Sequence, residues 1–278
     1  MPHKTSQVLT KIEQLRPMPS NVTRAIKAIE GENPSINDIA NLIGLDQALA
    51  ASVIRLANSV SLGFATNCTS LRDAVMRIGL RRLKTLLLGV AVSGPLSQRL
   101  NGYRLGDGTL WDHSLVTAMA SQWIAQAVHY PSPEEAYVAG LLHDMGKLVL
   151  DQFVIIDYQQ MNTLIQEKQR SLWEVEEELI GIDHPHVGSL MAQRWSFPPV
   201  LCDAILCHHA PSLAFSSDTL AAITNVANTF SDKPEGALFD LYGNTVHPES
   251  LRILSVNENR VNEWRSTFKN YVRGTDRN

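Results

Sequence analysis

The chain has 278 residues, 44% of them hydrophobic and 19% charged, so it can bury one large core or two smaller ones and is neither disordered nor of low complexity. Lysine and arginine number 24 against 28 aspartates and glutamates, giving a net charge of −4 and a pI near 6.1. That balance excludes a general polyanion binder and speaks against nucleic acid as a partner.

The N-terminus, MPHKTSQVLTKIEQL, lacks the apolar core and small-residue cleavage site of a secretory signal, so a cytoplasmic protein is the expectation. Apolar residues recur at three- and four-residue steps along the chain, and strict alternation is hard to find over even six residues; the fold class predicted is all-α. Ser35 with Asp38 opens the helix INDIANLI. Ser70 with Asp73 opens LRDAVMRIGLRRLKTLLLGV, each start carrying an oxygen acceptor at the cap and a carboxylate three residues on. In the second of these Leu71, Val75, Ile78, Leu83, Leu86, Leu87 and Val90 fall on one broad stripe, which predicts a core helix. The apolar run TLLLGVAVSGP, Thr85 to Pro95, ends in a proline and is about half of what a membrane span needs, so no membrane partner is expected.

Pro95 to Thr109 mixes Gly, Pro, Asn and Asp and predicts the connection between an N-terminal helical layer and a larger C-terminal bundle, with the boundary near residue 100. Pro131 to Pro133 separates two helices. Ser231 to Ser250 predicts a long polar loop before a last helix from about Glu249 to Val272. Cys68, Cys202 and Cys207 are odd in number and set among apolar residues, which predicts reduced, packed thiols.

Seven of the nine histidines lie between Trp111 and His209. His113 is in phase with Val116, Ala120, Trp123 and Ala127. His143 and Asp144 are adjacent in YVAGLLHDMGKLVL; on a helix they would lie about 100° apart and flank one ion. HPHVG carries His184 and His186, and His208 precedes His209, in phase with Leu201, Ala204 and Ile205. Imidazoles and a carboxylate drawn from several helices can build a Zn, Fe, Mn or Mg site in a bundle core. A plainer reading stands beside this: a lone inward histidine is commonly a hydrogen-bonded core residue, and Lys147, three residues after Asp144, can neutralise it as a structural ion pair. His186 is expected to face away, and His3, His129 and His247 to be solvated. Arg77, Arg81, Arg82 and Lys84 read as a solvated basic flank, and Glu174, Glu176, Glu177 and Glu178 as an acidic helix start with no chemistry assigned.

LRPMPSNVTRAIKAIE, SINDIANLIGLDQALAASVIRLANS and TSLRDAVMRIGLRRLKTLLL resemble the N-terminal half of the HDOD family, the HD-related output domain of bacterial signalling proteins. LWDHSLVTAMASQWIA, YVAGLLHDMGKLVL, GIDHPHVGSLMAQRWSFP and AILCHHAP resemble its C-terminal half, so the likeness runs from about Leu15 to His209. It implies a helical bundle related to the HD phosphohydrolases, with an N-terminal helical subdomain over 1–98 and an HD-like subdomain plus C-terminal helix over 99–278. Carried over from the wider HD superfamily, the first histidine falls on His113 and the His-Asp doublet on His143 and Asp144. The lysine of the cyclic-dinucleotide phosphodiesterase branch falls on Lys147, and the remaining histidines on His184, His208 and His209. Three departures stand out: the last aspartate ligand falls on Asn228, a glutamate before the first histidine falls on Thr109, and Ala210-Pro211-Ser212 replaces a Gly-Tyr-Pro signature.

Two functions follow from the resemblance. One is a regulatory module that binds a signalling protein or a nucleotide-like small ligand, with a degenerate metal pocket able to take a divalent transition ion such as Zn, Fe, Ni or Mn. The other is a metal-dependent phosphohydrolase acting on a nucleotide or cyclic dinucleotide, in which Asp144 bridges ions and Lys147 stabilises charge developing on the phosphoryl group. The sequence leaves the oligomeric state open.

Overall fold

A computed structural model of the chain describes residues 2–15, 17–59, 64, 66–231 and 246–275. Every regular element among them is helical, apart from an isolated antiparallel bridge between Leu100 and Leu105. No described helix is long and apolar enough to cross a membrane. The chain divides by contact into two compact units, 16–94 and 1–15 with 95–278.

The smaller unit holds α2 (Ser20–Glu30), α3 (Ile36–Gly44), α4 (Gln47–Ala57), α5 (Leu71–Ile78) and most of α6 (Leu80–Leu96). Its starts follow the cap logic of the sequence. Ser35 accepts from the backbone N–H of Asp38 at 3.3 Å and Ser70 from that of Asp73 at 3.3 Å. The long helix expected from Leu71 is broken in two at Gly79, whose φ of 78° lies in the left-handed region that glycine adopts without a Cβ clash. Pro95 does not end α6 but lies inside its last turn. Val75, Ile78, Leu83 and Leu87 are buried as the stripe predicts, whereas Leu71, at the first position of α5, is half-buried, as are Leu86 and Val90 beyond the break at Gly79, which resets the phase.

The larger unit holds α1 (Pro2–Glu13), α7 (Thr109–Ala127), α8 (Pro133–Leu142), α9 (Lys147–Gln166), α10 (Leu172–Ile180), α11 (His184–Arg194), α12 (Pro199–Cys207), a short 3-10 turn (Pro211–Leu213), α13 (Asp218–Asn228), α14 (Pro248–Ile253) and α15 (Glu258–Thr275). The first fifteen residues group here rather than with the N-terminal layer that the resemblance implies. α1 packs on α9 and α11: Lys4 pairs with Asp157, and Thr5 donates to the carbonyl of Ile180 at 3.2 Å. The single last helix expected from Glu249 is two. α14 closes on a 6→1 bond from the N–H of Val256 to the carbonyl of Leu251 at 2.9 Å, with Ser255 left-handed at φ 53°. The expected loop from Ser231 lies largely outside the described residues.

α7 and α8 approach closely. The buried face of α7 is Leu110, His113, Ser114, Thr117, Ala118, Ala120, Ser121, Ile124 and Ala125, rich in small residues; of the expected stripe His113 and Ala120 are buried, Val116 and Trp123 half-buried and Ala127 exposed. Gly140 of α8 nests against it; a Cβ there would lie 2.5 Å from the Ser121 hydroxyl and 2.8 Å from the Thr117 carbonyl. Gly146 before α9 is tighter still, since a Cβ would meet the His184 carbonyl at 2.0 Å and the Gly188 nitrogen at 2.7 Å. Cys68, Cys202 and Cys207 are buried free thiols, as expected.

Gly146→Ala is expected to lower stability by more than about 3 kcal/mol in urea unfolding, because only backbone movement relieves the overlap. Asp46 accepts from the Leu49 N–H at 3.0 Å at the start of α4, and this bond, with Asn21 adding to it against a small burial cost, holds its carboxyl below the ordinary 3.8. A depressed folded value means stability present above 3.8 and lost as pH falls through the folded value. Asp46→Ala is therefore expected to cost about 1 kcal/mol at pH 7 and much less at pH 3, read from unfolding midpoints at the two pH values.

Candidate metal centre

The donor side chains hang mostly from helix ends. His113 lies in the second turn of α7, but His143 directly follows α8, Asp144 sits in the turn after it, and Lys147 opens α9. His184 opens α11, and His208 and His209 follow α12. The start of α11 is fixed by Asp183, whose carboxylate accepts from the His186 N–H at 2.8 Å, with Pro185 in the first turn. His186 turns outward, its side chain 57% exposed, and meets the same carboxylate at 2.7 Å.

Asp144 is the hub. It is 1% exposed, and its two oxygens meet different partners. Oδ2 receives the Lys147 ammonium at 2.6 Å and lies 3.3 Å from His113 Nε2 and 3.5 Å from His143 Nε2. Oδ1 lies 3.2 Å from His184 Nε2, which is itself 3.2 Å from His209 Nε2. Two trios result, His113–His143–Asp144 and His184–His208–His209; within each, one donor atom per residue lies within 4.8 Å of the others. All six residues proposed as ligands from the sequence are thus brought together, with Lys147 among them. Asn228 is buried on α13 and Thr109 opens α7.

Backbone carbonyls set two of the tautomers. His143 Nδ1 donates to the Gly140 carbonyl at 2.7 Å, and His208 Nδ1 to that of Ile205 at 2.7 Å, so both Nε2 atoms carry a lone pair toward the pocket. Burial, reinforced by His113 and Lys147, brings His143 down to about 4 against the pull of Asp144. Burial and neighbouring imidazoles hold His208 and His209 well below the ordinary histidine value. Burial opposes the Asp144 anion as well, yet Lys147, His143 and the bonds from His113 and His184 keep its carboxyl well below the carboxylate range. Neutral imidazoles and an ionised carboxylate are the forms that bind a divalent ion, so His184, which Glu176 holds charged, has to shed its Nε2 proton to join the set. His208 Nε2 is buried with no hydrogen-bond partner among the described residues, an orphan acceptor that such an ion would satisfy. The donor set fits a divalent transition metal.

Two results differ from the sequence reading. His143 and Asp144 do not share a helix but stand in the turn between α8 and α9, where their side chains still meet, Nε2 to Oδ2 at 3.5 Å. Glu176, given no chemistry from the sequence, is fully buried. Its Oε2 accepts from both the backbone N–H and the Nδ1 of His184, at 2.8 and 2.6 Å, while Oε1 accepts from the Tyr103 hydroxyl at 2.6 Å. Its phase with Leu172, Val175, Leu179 and Ile180, all buried on α10, is the signal that could have marked it. Asn225 was likewise unmarked. It donates to the His208 carbonyl at 2.9 Å and accepts from the His247 N–H at 2.9 Å and the Ser250 hydroxyl at 2.8 Å, fastening the double histidine to α14. His247, expected to be solvated, is half-buried and caps α14 through Nδ1, while His129 is exposed as expected and the His3 side chain lies outside the described residues.

Burial disfavours a charged His184, but Glu176, helped by Asp144, outweighs it and raises the imidazole to about 9. A raised value contributes stability that is complete below 6.5 and lost as pH rises through about 9. Glu176→Gln is expected to cost about 1 to 3 kcal/mol at pH 7, to bring the His184 titration down in imidazole NMR spectra, and to remove this alkaline loss of stability.

The family model of the HDOD domain matches residues 15–211. A solved HDOD domain protein of unknown function from Geobacter sulfurreducens is 27% identical and superposes with a TM-score of 0.70 over 96% of each chain. A candidate phosphohydrolase from Shewanella amazonensis SB2B, 22% identical, also gives 0.70, over 95% of this chain and 93% of its own, a likeness of fold. An uncharacterized protein of Treponema pallidum (strain Nichols) is 26% identical over 205 residues, which are 73% of this chain but 39% of the relative. A second curated relative is spanned over 19% of its length. The match to the family model covers well over half of the residues, and the chain belongs to the HDOD domain family.

Proposed function

We propose that this chain is a regulatory HDOD module of a signalling system, which holds a divalent transition metal in its histidine pocket and acts by binding a partner protein or a nucleotide-like small ligand. The observation that carries this reading is the donor count: five imidazoles converge with one carboxylate, and that carboxylate is already bonded to Lys147. His113, His143 and Asp144 would hold an ion on one side, and His184, His208 and His209 on the other. A metal there, zinc, iron, nickel or manganese, supplies fixed positive charge and Lewis acidity.

The chain's own residues do the rest. The carbonyls of Gly140 and Ile205 aim the His143 and His208 lone pairs, and Glu176 orients His184. A neutral amide at Asn228 and a hydroxyl at Thr109, where the resemblance places carboxylates, leave the pocket about two negative charges poorer. That weakens binding of hard ions such as magnesium and leaves less anionic support for a hydrolytic step. The N-terminal helices offer the partner surface.

Elemental analysis of protein purified without chelator is expected to find transition metal, which Asp144→Ala reduces at least about tenfold in affinity. Incubation with nucleotides and cyclic dinucleotides, in the presence of Mn, Fe, Ni or Zn, is expected to show no turnover. Metal-dependent hydrolysis abolished by Asp144→Ala would overturn the regulatory reading in favour of a phosphohydrolase.

A further inference from the structure

The two donor trios are not equivalent. Asp144 Oδ2, the oxygen that His113 Nε2 and His143 Nε2 face at 3.3 and 3.5 Å, also carries the Lys147 ammonium at 2.6 Å. The lysine side chain is only 6% exposed, so its charge is directed inward at this carboxylate and not at solvent. Its backbone is pinned as well, since Gly146 immediately before it lies against His184 and Gly188. The His184–His208–His209 trio meets Asp144 through the other oxygen, Oδ1, 3.2 Å from His184 Nε2, whereas the ammonium is bonded to Oδ2.

We infer that Lys147 is a built-in competitor for the metal: its ammonium occupies the carboxylate oxygen of the His113–His143–Asp144 half, and an ion enters that half only once the lysine has swung aside. This rests on the metal-binding reading above. A compact ammonium and a divalent ion repel each other strongly where water is excluded, and both need the same lone pairs of Asp144. The lysine side chain is flexible, so the exchange can happen by rotation about its own bonds.

The test uses the full chain and two ions, zinc and manganese, each added alone at one fixed pH and followed by calorimetry and equilibrium dialysis. Lys147→Met keeps the length of the side chain and removes its charge; Lys147→Arg keeps the charge. Lys147→Met is expected to bind about tenfold more tightly than wild type and to gain more in melting temperature on zinc addition, while Lys147→Arg stays close to wild type. If Lys147→Met needs metal to fold, chelator competition on the zinc-refolded protein supplies its affinity. Binding by Lys147→Met no tighter than wild type, or equal tightening in both variants, overturns the inference while leaving the metal pocket standing. Failure of all three proteins to bind either ion overturns the metal reading together with it.

Discussion

A carboxylate with 1% exposure must be matched by positive charge or it will not stay ionised, and Asp144 has the Lys147 ammonium bonded to Oδ2 and the His184 imidazole 3.2 Å from Oδ1, which has no aligned hydrogen bond among the described residues. Much of the larger unit is arranged around that requirement. Lys147 has to open α9 where its ammonium can turn back three residues, and α11 has to begin at His184. Glu176 then adds a second buried anion, balanced by the imidazolium it favours on His184. Two anions and two cations alternate through the interior, from Glu176 to His184 to Asp144 to Lys147, and at the Glu176 end the contacts continue to the buried Tyr103 hydroxyl.

The helical class and most of the donor set were legible because both rest on local chemistry. Ser35 and Ser70 cap where oxygen acceptors precede apolar periodicity, and His186 points away because it stands two residues from His184 on a helix. What escaped were helix ends made without the residues that usually announce them. His129, Ser196 and Ser255 take the left-handed conformation typical of glycine, each at the close of a helix. Pro131 and Pro198 follow the first two within two residues, but nothing after Ser255 marks a stop, so α14 and α15 read as one element. Gly79 erred the other way, a lone glycine inside a long periodic stretch whose left-handed φ divides it.

Glu176 shows a second kind of blindness. Among four glutamates in five positions, composition reads a solvated helix start, and only the buried phase of α10 distinguishes the one that turns inward. Its partner, His184, is eight residues away across a helix end, beyond the reach of helical spacing rules. Asn225 poses the same problem: its three bonds reach 17 to 25 residues along the chain. Groups that hold ligands in place are chosen by tertiary geometry, and one sequence records their identity but not their neighbours.

The contact between Gly146 and the first turn of α11 is made by backbone alone, with no side chain of the pocket taking part. That seam fixes where α9 starts against α11, and with it the positions from which Lys147 and His184 reach Asp144. Exchanging a donor side chain leaves the seam in place, so losses of binding and losses of fold can be separated residue by residue.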